Sequence, residues 1–430
     1  MRVGLQSWGT EGDLRPFLAL SQALRRAGHD VRLVFTGVEG RDVSSLVESA
    51  GVETRLVDDG YFVANRDALT RRAREGLKLG SPRKQFEMIV SDLMDPVVDS
   101  MLDAARDLAA DCDVIVGHFL AHTAAAAAEE RSRPYVMLAL QPVFASAHYP
   151  PAGAPALGRL LNPLAWKLAN HIMSGALLHR MNATRARCGL RPSPRFVPAE
   201  LGSPRRVLVG VSPSLFPRPG DWSAHLDVCG FLALEEPTQK WRPEPRVQAF
   251  LDASAPVYLS FGSMFGMDER QAAESVAVFA AALTLADARG IVQAPASVIA
   301  TAPKQENVCY IERAPHAELF PRCAAIVHHG GAGTTQSALL AGRGSVVVPH
   351  GADQFYWADV LFARGVAARP LKRPALTPSA LAARIRAVLG DAPMAARTAA
   401  LSESLRVERG AERAAEMVVS CAEGASPAAG

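Results

Sequence analysis

Several things are missing from this sequence, and each absence removes a class of function. Among the six cysteines, at positions 112, 188, 229, 309, 323 and 421, there is no Cys-x-x-Cys pair and no finger-like spacing. They read as buried thiols in a reducing cytosol rather than as disulfides or metal ligands. No run approaches the about eighteen apolar residues that would span a membrane. The start, Arg2-Val3-Gly4-Leu5 with Glu11 and Asp13 close behind, is too short and too polar for a signal peptide. A cytoplasmic location is therefore expected. No charge dominates either: 46 basic residues face 43 acidic ones, for a net +3. Clusters such as Arg71-Arg72 are short, so a dedicated nucleic-acid binder is not expected.

What is present is bulk and alternation. The 430 residues exceed one ordinary domain, and at 49% hydrophobic they can fill two cores. Strand-like runs at 2–6, 31–35, 54–57, 113–117, 135–139 and 206–211 alternate with helical ones, notably 14–27, 85–109 and 121–131. A Pro-rich passage at 213–245 reads as a linker. The alternation then restarts, with strands at 257–261, 291–293, 298–301, 308–311, 325–327 and 345–348 and a helix at 268–286. An α/β architecture of two Rossmann-like domains follows, at 1–212 and 246–394, each with a parallel sheet covered on both faces. Ligands of such sheets bind beyond the carboxyl ends of the strands, so two facing halves would enclose one cleft. The segment 156–178 is amphipathic but broken at Asn162-Pro163. It fits either contact with a membrane surface or a helix lining a pocket for an apolar ligand.

The densest chemistry is His328-His329-Gly330-Gly331-Ala332-Gly333-Thr334-Thr335, set between an apolar strand and a helix. A strand turning through glycines into a helix aims backbone N–H groups and a positive dipole end at the turn, which suits phosphate. His329, Thr334 and Thr335 add side-chain donors. After the next strand come Asp353 and Gln354, a carboxylate and a carboxamide able to hold sugar hydroxyls; Asp353 capping the following helix is the competing reading. Phe261-Gly262-Ser263-Met264 offers a further phosphate contact, or an ordinary strand-ending turn.

From His328 through Trp357, with Pro315-His316-x-x-Leu319-Phe320 upstream, the chain resembles the donor-binding signature of GT-B glycosyltransferases. The nearest group is the bacterial transferases that decorate polyketides and glycopeptides, together with the sterol transferases. The resemblance implies two domains facing across a cleft, and a helix over 395–421 crossing back to brace the first. It implies that Gly262, Ser263, His329, Gly331, Gly333 and Thr334 hold the diphosphate, and that Asp353 and Gln354 hold the hexose. His328 is read as packing or bonding locally. Arg313, Ala314 and His316 would lie near the base. Arg313 stands where many relatives have a stacking aromatic, and its guanidinium plane can stack instead. That departure leaves uracil or thymine undecided.

On the acceptor side, Ser7-Trp8-Gly9-Thr10-Glu11-Gly12-Asp13-Leu14-Arg15-Pro16 resembles the family's N-terminal loop, and the match makes Asp13 the general base. A helix cap, with Pro16 in the first turn, is the plain alternative. His118 and His122, past the strand 113–117, are candidates for a second base or an acceptor contact, or are packed. Relatives with a histidine base carry an acid on this strand end; none stands here, so a copied Asp–His dyad is not expected.

These readings converge on an inverting O-glycosyltransferase. It would move a hexose or deoxyhexose from a UDP- or TDP-sugar to a hydroxyl of an apolar small molecule, foremost a polyketide or macrolide type. A sterol or lipid glucosyltransferase is the alternative, and a GT-B sugar-nucleotide epimerase is the rival of another class. No D-x-D motif appears in the donor half, so neither a metal nor a cofactor beyond the co-substrate is expected.

Overall fold

The computed structural model describes every residue except 41, 58, 78–81, 152, 153, 155, 156, 203, 236–240, 263–268, 352 and 425–430. The chain forms two compact units, Met1–Pro237 with Arg409–Gly430, and Thr238–Glu408.

In the first unit the strands are β1 (Arg2–Gly9), β2 (Asp30–Gly37), β3 (Thr54–Leu56), β4 (Val114–His118), β5 (Tyr135–Ala139), β6 (Arg206–Val209) and β7 (Leu226–Val228). They pair in parallel in the order β3-β2-β1-β4-β5-β6-β7. Val3, Leu5, Val114, Val116, Val136 and Leu138 are fully buried, as a parallel sheet covered on both faces requires. The helix Glu11–Arg26 covers one face with Leu14, Phe17, Leu18 and Leu24, repeating at helical spacing. Order along the sheet reverses between β1 and β4, whose adjacent carboxyl ends open a crevice.

The second unit repeats the scheme with five parallel strands. These are β8 (Val257–Leu259), β9 (Gly290–Gln293), β10 (Val308–Ile311), β11 (Ala325–His328) and β12 (Ser345–Val347), in the order β10-β9-β8-β11-β12. Its reversal lies between β8 and β11. Phe279 and Leu283, from the helix Glu269–Leu285, pack with Val257, Leu259, Val292 and Val327.

Local expectations differ from the structure at several points. The run at 298–301 is not a strand: Pro295 starts the short helix Ala296–Ala300, since a brief apolar run has no decisive period. The helix expected over 85–109 is two, Pro82–Leu93 and Val98–Asp111, divided at Asp95-Pro96 because proline cannot continue the ladder. The 213–245 passage is not a free linker, since it contributes β7 to the first sheet.

The single helix expected over 395–421 is also two. Ala392–Val407 stays with the second unit, where Ser402 Oγ donates to Leu340 O at 2.7 Å. Arg409 then takes a left-handed φ of 48°. The final helix Gly410–Ala422 returns to the first unit and buries Ala411, Ala414, Ala415 and Val418 in its core.

Candidate active site

At the carboxyl end of β1 the helix Glu11–Arg26 begins earlier than its apolar pattern suggests, with Thr10 as N-cap. Asp13 is thus the third helical residue, and Pro16 lies in the second turn rather than the first. Asp13 Oδ2 accepts from the Thr10 N–H at 2.7 Å and the Thr10 hydroxyl at 2.9 Å, the back-reaching half of a capping box. Gly9 makes this possible. Its φ is +137°, and a Cβ there would sit 2.3 Å from Asp13 Oδ2. Asp13 therefore caps with one oxygen while its other oxygen remains directed elsewhere. Burial pushes its pKa above the usual aspartate value, against the Thr10 hydrogen bonds that lower it.

The second oxygen, Oδ1, lies 3.7 Å from Nε2 of His118, the last residue of β4. A histidine rather than an acid ends β4, so the relatives' arrangement is not copied; instead the acid on the N-terminal loop faces the histidine on the strand end, just beyond hydrogen-bond distance. Pairing of β1 with β4 brings two loops together that lie far apart in sequence. His118 is packed against the Phe119 and Phe17 rings, and burial drops its pKa to about 3, so it is neutral. Its Nδ1 accepts the Leu120 N–H at 3.4 Å, which leaves the proton on Nε2, facing Asp13. His122 has the opposite tautomer: its Nδ1 contacts Leu120 O at 3.4 Å, and burial lowers its pKa to about 4. Both histidines are buried.

In the second unit, the helix after β11 begins at Ala332, with Gly331 as its N-cap, four residues ahead of the start read from the sequence. The N–H groups of its first turn have no acceptor within the helix. His329 is wedged between two glycines: a Cβ on Gly331 would fall 2.6 Å from its Nε2, and one on Gly262 would fall 3.3 Å from its Cε1. Burial lowers its pKa to about 4. Its Nδ1 and the Thr335 hydroxyl are buried without a protein partner among the described residues. Thr334 is half-buried and Gly333 faces open space. Gly330, at φ +94°, admits no side chain, because a Cβ would meet Val347 at 2.8 Å. His328 is fully buried and bonds locally, its Nδ1 accepting the Gly330 N–H at 3.1 Å. Ser263 and Met264 lie outside the described residues.

Beyond β12, the helix Asp353–Ala363 starts at Asp353, so this acid is inside the first turn rather than at the cap. Gln354 Oε1 accepts the His350 N–H at 2.8 Å, which ties the loop. His350, not singled out from the sequence, stands edge-on to Phe261 at 4.6 Å, and burial lowers its pKa to about 4. Beyond β10, Arg313 is exposed, Ala314 is buried, and His316 stacks on Phe320 at 4.2 Å. Thr10 was also missed, although Thr-x-x-Asp before an apolar run is a legible capping signal. No group of three or more metal-ligating side chains occurs among the described residues.

Comparison with known proteins agrees with this layout. Residues 3–150 match the glycosyltransferase family 28 N-terminal domain, and residues 279–422 match the erythromycin biosynthesis protein CIII-like C-terminal domain. The chain is 32% identical to O-mycaminosyltylonolide 6-deoxyallosyltransferase of Streptomyces fradiae, over 98% of each. It is 28% identical to a sterol 3-beta-glucosyltransferase of Arabidopsis thaliana, over 90% of this chain and 63% of that one. The solved glycosyltransferase VinC in complex with DTDP superposes with a TM-score of 0.69 at 20% identity, covering 99% of this chain and 100% of that one. The glycotransferase of kitacinnamycin gives 0.67 at 22%, covering 98% of each. Two Rossmann-like units, each with its polar site at the reversal of strand order, and an end-to-end relative at this identity identify the chain as a GT-B glycosyltransferase of the family that unites bacterial natural-product and sterol transferases.

Proposed function

We propose that the protein is an inverting, metal-independent O-glycosyltransferase that moves a hexose or deoxyhexose from a UDP- or TDP-sugar to a hydroxyl of an apolar natural product. One observation carries this reading: each sheet has half of the required chemistry at its own switch point. The first has a carboxylate of raised pKa; the second has a glycine turn, a helix N-terminus and side-chain donors without protein partners among the described residues. The acceptor oxygen forms a bond to the anomeric carbon as the bond from that carbon to the diphosphate oxygen breaks. Asp13 Oδ1 takes the hydroxyl proton, and its raised pKa suits that task. Oδ2, bonded to Thr10, fixes the carboxylate's direction, and neutral His118 presents an N–H to the other oxygen.

The leaving diphosphate is stabilised by the helix beginning at Ala332, the backbone at Gly262, His329, Thr334 and Thr335, acting as preorganised dipoles. Gly331 and Gly333 allow close backbone approach. Asp353 and Gln354 hold the sugar, and Arg313 with Ala314 and His316 borders the base. The relative matched end to end is named for transfer of a deoxyhexosyl group to O-mycaminosyltylonolide, which favours a natural-product acceptor over a sterol, whose relatives this chain spans less fully. Six buried, unpaired thiols suit the reducing cytoplasm. The test is incubation with UDP- and TDP-hexoses and a panel of macrolides, aromatic polyketides and sterols. A gain of one hexose mass on an acceptor is expected; free sugar or an epimerised donor as the only product would reject transfer.

A further inference from the structure

The helix Asn162–Arg187 in the first unit has a buried and a bare face. Trp166 is buried, its Nε1 donating to Tyr149 O at 2.8 Å. On the other side, Leu160, Leu161, Leu164 and Leu168 are 91%, 48%, 57% and 62% exposed. Residues 160, 164 and 168 recur every four positions, so the leucines form one stripe across the turn that enters the helix and its first two turns. The stripe presents an apolar patch on the order of a few hundred Å², as large as the biggest a monomeric protein usually leaves bare. Exposure to this degree does not fit the lining of a closed pocket.

Charge selects the occupant. From residue 131 to residue 199 the sequence has nine Arg and Lys but no Asp or Glu. Further along the helix, Arg180, Arg185 and Arg187 pair with Asp95, Glu129 and Asp99 from neighbouring elements. Arg159 and Lys167, which flank the leucines, are both exposed, and among the described residues neither pairs with a carboxylate. Arg159 Nη2 lies 3.5 Å from His148 Nε2, which is 3.9 Å from Asp221 Oδ1, whereas Lys167 has no such neighbour among the described residues. A second copy docked two-fold on this stripe would bring the lysines and arginines of both copies together.

We propose that this face docks on the surface of an anionic lipid bilayer. The leucines enter the boundary of the acyl chains, while the Arg159 and Lys167 stems lie along the apolar layer and place their charges among lipid phosphates. Among the described residues no helix is long and apolar enough to cross a membrane, so the contact is peripheral. This inference is independent of the acceptor and of the role of Asp13.

The test is cosedimentation of the full chain with phosphatidylcholine vesicles, with and without phosphatidylglycerol, for the unaltered protein, Leu164→Ser/Leu168→Ser and Lys167→Glu. Binding to the anionic vesicles is expected. It should fall about tenfold or more without phosphatidylglycerol and in either variant, the scale set by two leucines or one reversed charge. Melting temperatures should stay put, since the altered side chains are exposed. Absence of binding to anionic vesicles, or equal binding to both compositions, would overturn the proposal. So would a dimer in light scattering that the leucine variant abolishes, because the face would then be a self-interface.

Discussion

A side chain at position 9 would strike the Asp13 carboxylate, and the backbone there already holds a φ of +137°. Gly9→Ala should therefore displace the carboxylate from Thr10 and add strain of about 1–3 kcal/mol. Its kcat should drop toward that of Asp13→Asn, with a lower melting temperature. Asp13→Asn itself keeps the side chain's size and an oxygen for Thr10 but removes the proton-accepting oxygen, so kcat should fall by roughly 10²–10⁴ while donor affinity and melting temperature change little. Near-normal turnover would return Asp13 to a purely capping role. The pH profile gives a further check. A base must be ionised, and the pKa of Asp13 is raised, so kcat/KM should decline as pH falls through a value above the ordinary 3.8. His118→Phe removes the N–H that faces Oδ1 and so disfavours the ionised form. The acid limb should then move further up in pH, and His118→Gln, which keeps a donor, should move it back. An unchanged limb in His118→Phe would make the 3.7 Å approach incidental.

At the scale of elements, the turn after β11 is a wedge as much as a dipole. His329 is held in place because positions 262 and 331 lack side chains. Gly331→Ala should push the imidazole aside and weaken UDP or TDP binding about as much as His329→Ala does. Calorimetry showing nucleotide affinity untouched by both substitutions would remove His329 from the diphosphate site. Gln354→Ala should loosen the loop at His350, whose N–H it receives, and change which sugars are accepted more than how tightly the free nucleotide binds.

At the scale of the whole molecule, the last helix belongs to the first core although it follows the second. Ala414 and Val418 are fully buried there, and Gly410 is needed because a Cβ would meet Phe231 O at 2.4 Å. Removing residues 409–430 should expose that core and lower the melting temperature or leave the chain insoluble. A truncated chain as stable as the whole would show that the helix is dispensable. On the proposed reading, dipoles and neutral donors hold the diphosphate, so transfer should survive EDTA; loss on chelation, restored by Mg²⁺ or Mn²⁺, would contradict that account.

The sequence by itself determined the α/β alternation, the two-sheet plan and the glycine turn between β11 and its helix. Those signals are local: apolar runs of strand length, helical periodicity, and glycines where a strand turns into a helix. It also made Asp13 a candidate but left base and cap as rivals, because one carboxylate has two oxygens and a string of letters cannot direct them separately. Only the tertiary structure directs the two oxygens, through the parallel pairing of β1 with β4, which sets His118 3.7 Å from Oδ1 while Thr10 holds Oδ2. The same holds at the C-terminus. A continuous helical pattern runs from 395 to 421, yet the chain breaks at Arg409, where the backbone must leave one core and fit beside Phe231 in another. Helix period is a property of neighbouring residues; which core a helix joins depends on surfaces hundreds of residues away.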